Sequence, residues 1–281
     1  MLSYRHAFHA GNHADVLKHF ILSTVLDYYN QKDKPYWVID THAGAGMYQL
    51  NSAFANINEE HNDGIKRLKN LKHKSEAIAR YLSCINAFNV NNEINFYPGS
   101  PKISEYFLRK DDKLRLFELH PSDYKILSEN FDDKSRQTKV EMKNGFDGIK
   151  ACLPPPTKRG IVLIDPPYEI KEDYDHVVSC ISDSLKRFAT GTFMVWYPLL
   201  QRPEPLAMIK RISELNFTDW LDVRLTVTRP NENGYGMYGS GMFIINPPWS
   251  LPEILKENMP LITSSLAIDD SAHFNLESHV T

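Results

Sequence analysis

Apolar and polar positions follow two rhythms along the chain. Short apolar runs at Trp37-Val38-Ile39, Leu116-Phe117, Ile161-Val162-Leu163-Ile164, Phe193-Met194-Val195-Trp196 and Met242-Phe243-Ile244-Ile245 each stop at a polar residue or a proline. Continuous apolar runs of this kind predict strands buried on both faces. Between them, apolar residues recur at helical spacing. Val16, Leu17, Phe20, Ile21 and Tyr28 mark one such helix, with Asn12 as its N-cap, His13 as its start and Asp15 in its first turn. Ser100 is read as the cap of a helix with Pro101 at its first position. Further helices are expected from Tyr174 to Phe188 and from about Pro205 to Leu215. Strands alternating with helices predict an α/β fold with a mostly parallel sheet.

The segment 49–92 breaks this alternation. It shows no strong strand signal, and Ile65, Leu68, Leu71, Ile78 and Leu82 repeat as on one amphipathic helix. Lys66, Arg67, Lys69, Lys72, Lys74 and Arg80 crowd its other faces, with Glu76 the sole acid from 65 to 82. We therefore expect one main domain from residues 1–48 and 93–281, with 49–92 as an inserted helical subdomain whose basic surface suits phosphate contact. The stretch after Ser264 has weak periodicity and is expected to fray.

The candidate chemistry sits where the strands stop. Open α/β sheets bind ligands at the carboxyl ends of their strands. Asp40 ends the first strand and leads into Thr41-His42-Ala43-Gly44-Ala45-Gly46, where Gly44 and Gly46 allow close backbone approach to a ligand. This loop lacks the third glycine of the dinucleotide fingerprint and suits S-adenosyl-L-methionine better. Glu118 ends a later strand, where a carboxylate can accept both hydroxyls of a ribose, and Asn144-Gly145 follows the next, placed for contact with an adenine.

Ile161-Val162-Leu163-Ile164 then runs into Asp165-Pro166-Pro167-Tyr168. Two prolines can continue neither a ladder nor a helix, so the chain is turned out of the sheet there. A carboxylate, a carbonyl freed by proline and an aromatic ring are delivered together. That trio suits methylation of adenine N6, a poor nucleophile whose lone pair is delocalised into the ring. Acceptors on its two N–H groups, Asp165 and the Pro166 carbonyl, would localise the lone pair. Tyr168 is expected to offer a face for a flipped base. A second tetrapeptide, Asn246-Pro247-Pro248-Trp249, looks similar but follows a strand near the end of the sheet, and is read as structural.

Composition narrows the picture. A chain of 281 residues can hold one large core, and a net charge of −3 argues against coating nucleic acid by bulk electrostatics. Cys84, Cys152 and Cys180 are widely separated, indicating neither a disulfide framework nor a cysteine-rich zinc site. His6, His9, His13 and His19 cluster near the N-terminus without metal-ligand spacing, so no metal is expected. With no long apolar segment, the expected location is the cytoplasm.

Taken together, Tyr4-Arg5-His6, the run from Phe8 to His19, Asp40 to Gly46, Tyr97 to Pro101, Glu118 to Tyr124 and Asp165 to Glu169 carry a resemblance. Over essentially its full length the sequence resembles the bacterial 23S rRNA adenine-N6 methyltransferases designated J. The resemblance implies a Rossmann-like, class I methyltransferase with a mostly parallel seven-stranded sheet and a small helical insertion. It implies methylation of one adenine of 23S rRNA near the peptidyl-transferase centre, by an RNA-binding transferase acting as a monomer on protein-free or early precursor rRNA. Carried onto matching positions, His19, His42, Ser100, Glu118 and Gly145 would bind the cofactor, with Asp165 the catalytic acceptor. Tyr4 would contact substrate, and His6 and Lys18 would line the same site. Asn144 stands where the family has Asp. Two alternatives stay open, a DNA adenine or protein amide methyltransferase, and a non-catalytic RNA-binding module of the same fold.

Overall fold

The computed structural model describes residues 6–51, 59–71, 74–91, 93–131 and 136–281. The strands are β1 (Trp37–Asp40), β2 (Met47–Gln49), β3 (Phe96–Pro98), β4 (Lys113–Glu118), β5 (Thr138–Met142), β6 (Gly160–Ile164), β7 (Thr192–Leu199), β8 (Trp220–Thr226), β9 (Gly239–Ile245) and β10 (His273–His279). The main sheet has eight of them in the order β10-β8-β9-β7-β6-β1-β4-β5, while β2 and β3 pair separately. β7, β6, β1, β4 and β5 are parallel neighbours, and β9 runs antiparallel to both β7 and β8. The helices are α1 (His13–Asn30), α2 (Ile65–Lys69), α3 (Glu76–Ala87), α4 (Ser100–Phe107), α5 (Pro121–Asn130), α6 (Gly145–Gly148), α7 (Glu172–Arg187), α8 (Glu204–Ser213) and α9 (Leu251–Leu266).

Both faces of the sheet are covered, because its central strands are apolar at nearly every position. In β6 alternate side chains separate cleanly: Ile161 and Leu163 join the cluster containing Val16, Phe20 and Ile21 of α1, whereas Val162 and Ile164 join Val177 and Ile181 of α7. α1 starts where the sequence predicts, since Asn12 Oδ1 accepts from the Ala14 and Asp15 amides at 3.0 Å.

Three expectations are corrected and one holds. The sheet has eight strands, not seven, because the stretch expected to fray forms β10, paired antiparallel with β8 from His273↔Thr226 to His279↔Trp220. That strand alternates half-buried and exposed positions on an edge, and so carries a weak apolar signal. The single amphipathic helix expected from Ile65 to Leu82 is two helices, α2 and α3, whose Ile65, Leu68, Ile78 and Leu82 join the α1 side of the core. Ser100 does not cap α4; Gly99 occupies the cap position and the Ser100 hydroxyl donates to Asp40 Oδ2 at 2.6 Å. Asn246-Pro247-Pro248-Trp249 is structural, as expected. Asn246 Nδ2 donates to the Ala189 and Gly191 carbonyls at 2.8 Å, tying β9 to the turn before β7 at the end of the sheet remote from Asp165.

Candidate active site

The carboxyl edge of the parallel strands gathers Asp40 and Glu118, the last residues of β1 and β4, with Asn144 and Asp165 just beyond β5 and β6. Continuing the alternation of Ile161 and Leu163, Asp165 faces α1. There Lys18 Nζ donates to Asp165 Oδ2 at 2.5 Å and lies 3.0 Å from Asp15 Oδ1. Lys18 is 5 % exposed. Burial disfavours its charge, but Asp15 and Asp165 outweigh it and hold its pKa above the ordinary lysine value.

Asp15 lies deeper still. Its Oδ2 is 2.8 Å from His6 Nε2 and accepts from the Gly11 amide at 2.9 Å. Burial raises its pKa, yet His6, Lys18 and His19 together hold it well below the usual carboxylate range. An ionised carboxylate only accepts, so His6 Nε2 carries the proton of that bond. His19 is buried and kept neutral by desolvation, which drives its pKa well down. Its Nδ1 meets the Tyr97 hydroxyl at 2.7 Å, and that hydroxyl meets Tyr81 at 2.9 Å. His19 Nε2 is buried without a hydrogen-bond partner in the structure.

The loop after β1 is shaped by its glycines. Gly44 and Gly46 have φ of +60° and +77°, and a Cβ on Gly44 would lie 2.3 Å from the Tyr48 hydroxyl. Glu118 holds this loop: Oε2 accepts from the Gly44 amide at 2.8 Å and Oε1 from His120 N at 2.7 Å. Each oxygen keeps a second acceptor position. Burial raises the pKa of Glu118 and pushes that of Asp40 up to about 6, Asp40 also accepting from the His42 amide at 3.2 Å. His42 is held neutral by burial, its pKa lowered to about 3, and packs edge-on to Phe146 at 4.8 Å. Gly145 sits against Thr41, whose carbonyl would be 1.8 Å from a Cβ there. Asn144 Oδ1 accepts from Phe146 N at 2.9 Å and starts α6.

The family described as "Ribosomal RNA large subunit methyltransferase D, RlmJ" matches residues 33–279. A ribosomal RNA large subunit methyltransferase J of Haemophilus influenzae is 45% identical over 278 residues, covering 99% of this chain and 98% of that protein. Its Escherichia coli K12 namesake is 44% identical over 273 residues, covering 97% of each. The chain belongs to the ribosomal RNA large subunit methyltransferase J family. A crystal structure of protein LPL1258 from Legionella pneumophila shares the architecture, with a TM-score of 0.89 and 33% identity over 96% of this chain and 98% of that one. This is therefore an enzyme of the methyltransferase class, with the α/β fold the strand pattern predicts.

The structure brings together most of the residues singled out in the sequence and separates others. His6, Lys18 and Asp165 form one row through Asp15, with hydrogen bonds at its two ends and an ion pair between Asp15 and Lys18, whereas Ser100 bonds to Asp40. Tyr4 lies outside the described residues. The role expected of Tyr168 is corrected. It is 3 % exposed, its ring stacks on Tyr174 at 4.7 Å, and its hydroxyl donates to the Trp196 carbonyl at 2.6 Å. It anchors the turn instead of presenting a face to a base, and its φ of +51° shows how sharply the chain bends after the prolines. The basic surface of 65–80 is also reduced: Arg67 pairs with Asp63, and Arg80 with Glu76 and Asp27. Lys72 lies outside the described residues. Asp15 and Trp196 join the site without having been expected there. Asp15, Lys18 and His19 share one face of α1 at i, i+3 and i+4, a signal the sequence did contain. The Lys18 ammonium lies 5.9 Å from the Trp196 ring centroid, a contact visible only once β7 is placed beside β6.

No cluster of three or more metal-ligating side chains occurs among the described residues. None of their helices is long and apolar enough to cross a membrane.

Proposed function

We propose that the enzyme methylates the N6 amino group of one adenine in 23S rRNA near the peptidyl-transferase centre, with S-adenosyl-L-methionine as methyl donor. The observation that carries this reading is Asp165, held on Lys18 at the exit of β6 and followed by two prolines. The residues fit the cofactor: two left-handed glycines, a half-engaged Glu118 carboxylate, a Gly145 backbone with no room for a Cβ, and a buried His19 Nε2 that makes no hydrogen bond. When bound, S-adenosyl-L-methionine supplies an electrophilic methyl group.

Glu118 binds the ribose hydroxyls, and Gly44, Gly46, His42, Asn144, Gly145, Ser100 and His19 form the rest of the cofactor site. Lys18 engages Asp165 through Oδ2, leaving Oδ1 to accept one N6 hydrogen. The Pro166 carbonyl accepts the other. Together they turn the N6 lone pair toward the methyl group, and positioning supplies most of the acceleration. The N6 proton becomes acidic only as the new C–N bond forms and would then pass to Asp165 Oδ1, so Asp165 need not be a strong base. Tyr4, His6 and Lys18 line the substrate side. Residues 49–92 act as an inserted helical subdomain of a cytoplasmic, monomeric enzyme.

The test is tritiated methyl transfer to protein-free 23S rRNA, with duplex DNA as the control. Label is expected as N6-methyladenosine in the RNA and absent from DNA. Asp165→Ala should lower the rate by about 10²–10³, the scale of losing one preorganised electrostatic contact. Label on DNA, or on another atom of the RNA, would overturn the assignment.

A further inference from the structure

His6, Asp15, Lys18 and Asp165 form a row of alternating donors and acceptors, with successive separations of 2.8, 3.0 and 2.5 Å. Its second member also accepts from the Gly11 amide at 2.9 Å, a bond that a neutral amide oxygen could equally accept, so that contact does not require the charge. Asp15 is 1% exposed on an otherwise apolar stretch of α1, between Val16 and Leu17 on one side and Ala14 on the other. Burying an ionised carboxylate is costly unless it is paired and fully hydrogen-bonded, and a helix start already capped by Asn12 does not require it. What Asp15 does have is three neighbours assigned to the site, one of them His19, whose Nε2 lies 3.9 Å from Asp15 Oδ1. His6 approaches from the segment before α1, and Lys18 from one turn further along it.

We propose that Asp15 is a positioning residue for methyl transfer, which fixes His6 as its Nε2–H tautomer and holds the Lys18 ammonium in place against Asp165. The proposal rests on the reading that Asp165 orients N6. The logic is that of an orienting carboxylate behind a histidine, where the acid sets which ring nitrogen carries the proton without touching the reacting atoms. Here the same carboxylate also faces the ammonium. Without Asp15, Lys18 would pair with Asp165 alone and would draw that carboxylate away from N6. Shared between two carboxylates, 2.5 Å from Asp165 and 3.0 Å from Asp15, it is held against both, and Asp165 keeps an oxygen for the substrate.

A second contact joins this row to the cofactor loop. The His6 ring packs on Tyr48 at 5.1 Å, and the Tyr48 hydroxyl accepts from the Ala45 amide at 3.2 Å. Asp15 therefore ties the N-terminal segment, the glycine loop and the catalytic carboxylate into one assembly. An apolar residue at position 15 would keep α1 intact and lose all three links.

The experiment uses the full chain and two readouts. Nitrogen-15 NMR of the His6 ring needs no substrate; the wild-type ring should be protonated on Nε2, and Asp15→Ala, which leaves no side-chain acceptor at position 15, should change that pattern. Methyl transfer to 23S rRNA by Asp15→Asn should then fall about 30-fold or more in kcat, with cofactor affinity by calorimetry held within about threefold. A bare Nε2 in the wild-type ring, or a variant transferring within about threefold of wild type, overturns the proposal. Should Asp15→Asn fail to fold by circular dichroism, the wild-type ring and Asp15→Ser, whose smaller side chain admits water, decide it in the same way. Wild-type label on an atom other than N6 would sink the functional reading while leaving the His6 measurement intact.

Discussion

Lys18 and Asp165 are 147 residues apart in sequence and joined by a 2.5 Å hydrogen bond. One comes from the second turn of α1 and the other from the residue after β6, and the docking of α1 on that face of the sheet unites them. The pair stands between two demands. Lys18 must neutralise Asp15 in the core while leaving Asp165 able to accept from a substrate.

That double duty makes Lys18 costly to replace. Lys18→Met leaves Asp15, 1% exposed, without its nearest full positive charge. The expected loss is about 3–5 kcal/mol in stability, as when one partner of a buried ion pair is removed. Methyl transfer should be lost as well. The double variant Lys18→Met/Asp15→Asn should recover much of the stability and none of the activity. Urea titration of the two single variants and the double variant checks this, and additive losses would show that the two side chains do not interact.

Tyr168 gives a prediction opposite to the one its place in the motif suggests. Its hydroxyl donates to the Trp196 carbonyl from a buried ring. Tyr168→Phe should cost about 1–2 kcal/mol, lowering the melting temperature by roughly 2–6 °C for a chain of this size. An unchanged melting temperature would place the hydroxyl in solvent.

Asn144 tests what the departure from the family pattern does. Its Oδ1 already accepts from the Phe146 amide and is uncharged, so what it offers a ligand is one weak acceptor position and the Nδ2 donor. An adenine amino group needs an acceptor. Asn144→Asp offers one while keeping the cap, and should tighten S-adenosyl-L-methionine binding by about 3–10-fold, the gain of a charge-assisted bond. Calorimetry decides, and weaker binding would mean that the amide faces an acceptor on the adenine ring.

His9 and Glu60 give a pH signature remote from the reacting atoms. The hydrogen bond to Glu60, 2.9 Å long, raises His9 above its ordinary 6.5 despite burial. The stability this confers is complete below pH 6.5 and is lost as the pH rises through the higher folded value. For Glu60, burial is the largest single influence and raises its pKa, but the bond and charge of His9 together with the Asn12 bond outweigh it and leave it below 4.5, so its share is lost only as the pH falls through that lower value. Both side chains are about one-third exposed, and solvent screening keeps the pair under about 1 kcal/mol. His9→Gln should therefore lower the melting temperature more at about pH 5.5 than at about pH 8.5. An equal drop at both would assign the loss to packing.

What is legible in the sequence is what depends on near neighbours along the chain. A strand's apolar run, the proline that ends it and the carboxylate at that end are local, which is why Asp40, Glu118 and Asp165 stand out from the residue pattern alone. The Asn12 cap and the α1 stripe are legible for the same reason. The tertiary structure decides what depends on strand order and helix docking. β10 has a weak apolar pattern and becomes a strand only because β8 offers it an edge. Ser100 gives up a capping role for Asp40, 60 residues away. Tyr168 turns inward because Tyr174 and Trp196 enclose it. The sequence determined which residues reach the active edge of the sheet. Only the packing of α1 across that edge decided which of them share a hydrogen bond.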